Sequence, residues 1–367
     1  MKKKITLLLL FLSIVGVKAQ NNDFWIYLAI GQGNMVGTAK VEAKEATVND
    51  NFVVMQTENA ASTQLGTWKK AVSPIVSQKG GYGFLEAFGK TMLENTKNKK
   101  IGVVAVADET FPMAAYDIEV SHDFVANKTD EKTKAALERY GNNIYGRLID
   151  MARLAQKDGV IKGILLQQDG NDTYNNAWLQ RVKKVYYRVL NDLSLDSTKV
   201  PLLIGEVGCS EVGGKYAEAN KTIGKMHAVL QHSFVVSAKD CALAVDKVHF
   251  TEDGYKQLGR RFALKTLQGM GFELSDTHKS SQSTHTKVQS SVIEVNVQIS
   301  DKGILTATAT EPLVKVSVTD TNGASIKEIT LPEPSKVFTM DLNELPQGQI
   351  IVAFHAIDGE QSFTISN

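Results

Sequence analysis

Two short segments hold the side chains best suited to chemistry. In Asp246-Lys247-Val248-His249 a carboxylate stands three residues before an imidazole. At that spacing the carboxylate can accept from Nδ1–H, fix the tautomer and leave Nε2 as a general base. Taken alone, the same spacing is more often a helix-capping loop with a surface histidine, and Thr251 has the character of an N-cap. The other segment, Gly31-Gln32-Gly33-Asn34-Met35, follows an apolar run and opens a helix, so its backbone N–H groups can face an anion or a developing oxyanion. A dinucleotide loop fits it poorly. The glycines Gly31, Gly33 and Gly37 are spaced one residue too widely, and no acid marks a following strand. No cofactor is expected.

Around these segments lie groups of weaker meaning. Asp108, Glu109, Asp169 and Asp172 fall at predicted strand ends and could converge as an acidic pair or a metal site, although exposed acids there are usually solvated or pair with lysines, and no metal site is assigned. Trp68, Tyr82, Tyr174 and Trp178 lie in or near loops of the same face. Each could stack on a sugar ring or equally fill the core. Cys209 and Cys241 follow strand-like runs and would bridge only if their Cα atoms came within roughly 4.4–6.8 Å.

The elements that position these residues follow from periodicity. Apolar runs at 24–30, 51–56, 100–107, 161–167, 201–206 and 233–237 alternate with helical spacing at 83–93, 131–156, 175–193, 215–232 and 251–267. Strands alternating with helices predict an α/β fold, a parallel sheet with helices on both faces and chemistry beyond the C-terminal strand ends. Residues 273–290 are polar and read as a linker, after which the period changes to two. The runs 292–299, 303–310, 313–319, 325–331, 336–342, 348–356 and 361–365 predict an antiparallel β-sandwich of about seven strands over 291–367.

Lys2 to Lys4, an apolar stretch and Val17-Lys18-Ala19 have the form of a signal peptide over 1–19, so an exported protein, periplasmic or extracellular, is expected, with a first domain at 20–272. A formal net charge of +1 among 367 residues gives no footprint for nucleic acid or an anionic membrane, and no later stretch suggests membrane insertion.

Together, the two chemical segments resemble the SGNH hydrolases, flavodoxin-like in fold, and within them the sialate O-acetylesterase and carbohydrate esterase group. That family's first strand ends in Gly-Gln-Ser-Asn-Met, matched here by Gly31, Gln32, Asn34 and Met35 with Gly33 in the serine's place. Its closing segment is matched by Asp246, His249, Phe250 and Tyr255, its oxyanion turn by Gly81-Tyr82-Gly83, and its His-Gln-Gly-Glu block by Gln167-Gln168-Asp169-Gly170. The resemblance covers about 24–268. It implies His249 as base, Asp246 as its orienting acid and Gly33 as a vacant nucleophile position. Gln32, Gly33, Asn34, Gly81, Gly83 and Gln168 would form the oxyanion or binding site, and Trp68, Tyr82 and Trp178 are possible sugar contacts.

Three functions are compatible with this pattern. A carbohydrate or acylated sugar is bound with little or no hydrolysis, or an active O-acetyl esterase uses water activated by His249 and Asp246. In the third, the C-terminal sandwich acts as a structural or assembly module; it resembles the small C-terminal modules of exported Bacteroidetes proteins.

Overall fold

A computed structural model describes residues 20–41, 49–61, 63–128, 130–174, 176–272, 295–320, 324–356 and 360–366. The expected signal segment, the whole of the expected linker and the turns at 321–323 and 358–359 lie outside the described residues. The chain divides into two compact units, Met1–Asp276 and Thr277–Asn367.

In the first unit the chain runs β1 (Asn21–Gly31), α1 (Gly33–Val36), β2 (Phe52–Met55), β3 (Trp68–Lys70), α2 (Phe84–Glu94), β4 (Lys100–Ala107), α3 (Ser121–Ala126) and α4 (Glu131–Arg139). It continues through α5 (Ile144–Ala155), β5 (Gly159–Gln167), α6 (Asn176–Asp192), β6 (Leu202–Gly205), α7 (Ala219–Ile223), α8 (Met226–Val229), β7 (Ser233–Val236) and α9 (Glu252–Gly269). All six expected strands are present. The sheet order is β3-β2-β4-β1-β5-β6-β7, parallel throughout except for β3, a short antiparallel edge strand that no alternating pattern announces.

Strand β1 is apolar without alternation because both of its faces are covered. Successive side chains point to opposite faces. Phe24, Ile26, Leu28 and Ile30 enter one core with α5 and α6, whereas Trp25, Tyr27 and Ala29 enter the other with α2 and α9. Helices α2 and α9 meet across Gly259, where a Cβ would lie 2.0 Å from the Phe84 carbonyl oxygen. Gly259→Val is therefore expected to lower unfolding stability by roughly 1–3 kcal/mol through overpacking, measurable as a shifted urea midpoint.

The helical spacing over 131–156 resolves into two helices. Gly141 and Asn142 adopt φ of 69° and 57°, and the Asn143 side chain starts α5 by accepting from the Gly146 N–H at 2.8 Å. Likewise 215–232 holds only the short α7 and α8.

The second unit is antiparallel, consistent with a sandwich, but among the described residues it has five strands rather than seven: β8 (Val295–Ile299), β9 (Ile304–Asp320), β10 (Ser325–Asp341), β11 (Gln349–Ala356) and β12 (Glu360–Ser366). Runs 303–310 and 313–319 form one long strand, as do 325–331 and 336–342. The breaks that separate these runs in the sequence are absorbed as register shifts between β9 and β10.

Candidate functional site

The C-terminal ends of β1 and β5 lie side by side, Gly31 opposite Gln167. Gly31 has φ of 152°, and a Cβ there would meet the Gln167 carbonyl oxygen at 1.9 Å, so only glycine allows this approach. The Gln32 N–H then donates to that same oxygen at 3.0 Å. This pairing brings the next residues of both strands together, Gly33 and Asn34 from one and Gln168 and Asp169 from the other.

The loop before α9 supplies the imidazole. Asp246 accepts from the backbone N–H groups of Val248 and His249 at 2.9 and 3.0 Å, and its Oδ2 lies 2.6 Å from His249 Nδ1. This tight loop fixes ring and tautomer together, with Nε2 turned toward Gly33 and Asp169. Asn34 ties the loop to β1. Its amide donates to the Val248 carbonyl at 3.1 Å and accepts from the Tyr255 hydroxyl at 2.9 Å. The N-cap Thr251 starts α9, its hydroxyl accepting from the Gly254 N–H.

Asp169 faces the same point. Its carboxylate accepts from the N–H of Gly33 at 2.9 Å and of Asn34 at 2.7 Å, and its Oδ2 is 3.8 Å from His249 Nε2. The last distance is that of an ion pair rather than a hydrogen bond. Burial alone would depress the His249 pKa, but Asp169 and Asp246 outweigh it and raise the value to about 9. The two carboxylates thus favour the protonated imidazole at neutral pH. Burial acts against the Asp246 charge, but the hydrogen bonds from His249 and the loop backbone prevail and hold its pKa below the ordinary carboxylate value.

The other three acids do not join Asp169. Asp108 is paired with Arg139, Glu109 with Lys132 at 2.6 Å, and Asp172 accepts from the Met113 N–H at 2.8 Å. No group of three potential metal ligands forms among the described residues.

The oxyanion turn expected at Gly81 and Gly83 is corrected in its donors. Gly81 N–H donates to the Gly37 carbonyl, Tyr82 N–H to the Ala39 carbonyl and Gly83 N–H to Glu86, so these groups are committed to holding the turn against residues 37–39 and starting α2. Gly81 nevertheless lines a cavity of about 500 Å³ with Gly33, Val36, Lys79, Asp108 and Arg139. Gln168 is 2% exposed, and both ends of its amide lack a protein hydrogen-bond partner.

The three expected sugar contacts are corrected too. Trp178 is a core residue at 2% exposure, and Tyr82 is 3% exposed beneath Lys256. Trp68 packs edge-on against Phe24 and donates to Asp158, both near the N-terminal ends of β1 and β5, at the far end of the sheet. Tyr174 is the aromatic that reaches solvent near Asp169, at 49% exposure and edge-on to Tyr216 at 6.1 Å. Its position after β5 was legible; its partner Tyr216, brought in from the loop after β6, had no sequence signal. Cys209 and Cys241 are free thiols. Burial raises both, Cys209 to about 12 with help from Glu206 and Cys241 to about 11.

Similarity to known proteins accords with this geometry. Solved structures of the same fold include a protein from Arabidopsis thaliana, 20% identical, TM-score 0.50, over 66% of this chain and 98% of that one. Another is NanS, 14% identical, TM-score 0.51, over 69% and 99%. A carbohydrate acetylesterase from Xanthomonas citri is 14% identical, TM-score 0.49, over 93% and 80%. At these identities the first two likenesses speak for the fold alone, and the third bears on neither fold nor function. A family profile, by contrast, matches residues 23–268, the span that carries both chemical segments and every strand of the first sheet, and by that match the chain belongs to the family described as carbohydrate esterase, sialic acid-specific acetylesterase.

Proposed function

We propose that the chain binds a carbohydrate, free or acylated, at the Gly33–Asp169–His249 site and does not hydrolyse it by a serine mechanism. Gly33 is read as standing where the family's nucleophile would be. The observation that carries this is what faces His249 Nε2: a glycine whose Cβ, if present, would lie 2.5 Å from that nitrogen, and a carboxylate oxygen at 3.8 Å. Neither offers a hydroxyl proton for the imidazole to remove. Losing the nucleophile of a catalytic triad costs on the order of 10⁶ in kcat, leaving roughly 10³–10⁴ over water.

Binding is supported by the cavity that Gly33 lines and, separately, by the unpaired Gln168 amide, since a buried polar atom without a partner costs about 1–3 kcal/mol until a ligand or water supplies one. Export through the expected signal segment would give the protein access to extracellular or periplasmic glycans. No helix among the described residues is long and apolar enough to cross a membrane.

The Asp246–His249 pair also favours a second reading, hydrolysis by water activated at Nε2. That base must be neutral, and a pKa near 9 keeps it protonated at neutral pH. Water activation is therefore expected to grow only as pH rises through about 9.

The test compares the mature chain with its His249→Ala variant on p-nitrophenyl acetate and acetylated sugars at pH 7, alongside glycan-array binding. Wild-type turnover well above the variant would sink the non-hydrolytic reading. On a sugar identified by the array, Tyr174→Ala is expected to weaken binding by up to about tenfold, the share of one stacking aromatic, with calorimetry as the check.

A further inference from the structure

Asp169 occupies the place that acyl-transfer chemistry reserves for a developing negative oxygen. Two adjacent backbone N–H groups, those of Gly33 and Asn34, converge on its carboxylate at 2.9 and 2.7 Å. Donors so arranged stabilise an oxyanion only when that position is open to substrate. Here an anion of the protein itself is seated on both, with the His249 imidazole on its other side, Nε2 at 3.8 Å.

The seat and residue 33 compete for the same space. A Cβ on residue 33 would lie 2.9 Å from Asp169 Oδ2 and 2.5 Å from His249 Nε2, nearer than real Cβ atoms come to other heavy atoms. Asp169 has little room to withdraw. Its side chain is 10% exposed, its N–H donates to the Gln32 side chain at 3.3 Å, and the next residue, Gly170, turns back at φ of 93° against Tyr216. A Cβ at Gly170 would sit 2.6 Å from that of Tyr216, so the acidic residue of this block stands at 169 rather than 170.

We propose that Asp169 is a built-in occupant of the acyl-oxygen position, and that Gly33 and Asp169 form one coupled replacement in which the small residue at 33 exists to admit the carboxylate. The proposal rests on the reading of Gly33 given above. It also narrows the ligand. An acetyl carbonyl finds no free donor at this N–H pair.

Four proteins test it: wild type, Asp169→Gly, Gly33→Ser and the double variant. Sodium acetate is titrated while the backbone amides at positions 33 and 34 are followed by ¹⁵N NMR. Acetate is expected to leave the wild-type amides unmoved and to shift those of Asp169→Gly saturably. Gly33→Ser should lower the melting temperature by more in the wild-type background than beside Asp169→Gly. The double variant should hydrolyse p-nitrophenyl acetate at least about 100-fold faster than either single one, the scale set by an oxyanion donor, and lose the gain with His249→Ala. Saturable acetate shifts in the wild type, or a Gly33→Ser protein as stable and as active as the double variant, would overturn the coupling. If Asp169→Gly does not fold, Asp169→Ala takes its place in every arm. Hydrolysis by the wild type would sink the non-hydrolytic reading while the acetate and melting arms still decide the coupling.

Discussion

Arg139→Met is expected to destabilise the first unit by about 3–5 kcal/mol, the cost of leaving buried charges without their partner. Arg139 ends α4 with its side chain 17% exposed, held between Glu58 at 8% and Asp108 at 9%. Its Nε donates to Glu58 at 3.1 Å, one Nη donates to Asp108 and the other to the Ala135 carbonyl. Methionine fills much of the volume and supplies none of these bonds, so two carboxylates would face each other in a poorly solvated wall. Adding Glu58→Gln and Asp108→Asn to the variant should recover most of the loss, because the penalty lies in the unpaired charges rather than in the absence of the pair. Urea unfolding followed by tryptophan fluorescence reads the first unit selectively, since the chain's three tryptophans, Trp25, Trp68 and Trp178, all lie in it. An unchanged midpoint in Arg139→Met would show that water reaches these carboxylates. The effect bears on ligand binding as well, because Asp108 and Arg139 line the cavity beside Gly33.

That triad also marks a boundary of what sequence can disclose. Asp108 was visible as an acid at a strand end, but its partner is 31 residues away on a helix that sequence periodicity merges with the next one. The core strands were legible because burial on both faces leaves an uninterrupted apolar run, as in β1 and β4. The Asp246–His249 pair was legible for a different reason: a spacing of three is closed within one loop, and its 2.6 Å contact needs no distant element. Asp169 belongs to the opposite case. Its seat on the Gly33 and Asn34 N–H groups follows only from β1 lying beside β5, and its fit only from the absence of a side chain at 33. The aromatics were least legible of all. Trp178 is spaced like the other core residues of α6, Tyr82 is pinned by a bridge to Ala39, and which layer covers each ring is a tertiary fact.

Raising pH from 6 to 10 is expected to cost the folded protein on the order of 3 kcal/mol through His249 alone, taking about 1.36 kcal/mol per unit of pKa difference. The folded pKa of about 9 lies above the ordinary histidine value of 6.5, because two carboxylates hold the proton against the penalty of burial. A raised folded value means that the native state binds the proton more tightly than the unfolded chain does. The stabilisation is therefore complete below pH 6.5, shrinks as pH climbs, and is gone once pH has passed through 9. The half-buried thiol of Cys209 and the buried thiol of Cys241, whose pKa values are raised from 9.0, also cost stability as the unfolded chain ionises near and above pH 9. Urea midpoints of His249→Gln over the same range separate the two contributions, since the variant should lose the slope between pH 6.5 and 9 and keep the steeper fall above it. Asp169→Asn should lower the His249 titration seen by NMR, because it removes one of the two charges that hold the proton. Should His249 instead titrate near 6.5 in the wild type, the imidazole would be largely neutral at pH 7, and water activation would become available to it. The protonation state of this one ring thus links stability to function: the carboxylate pair that stabilises the cation also withholds the base that hydrolysis would need.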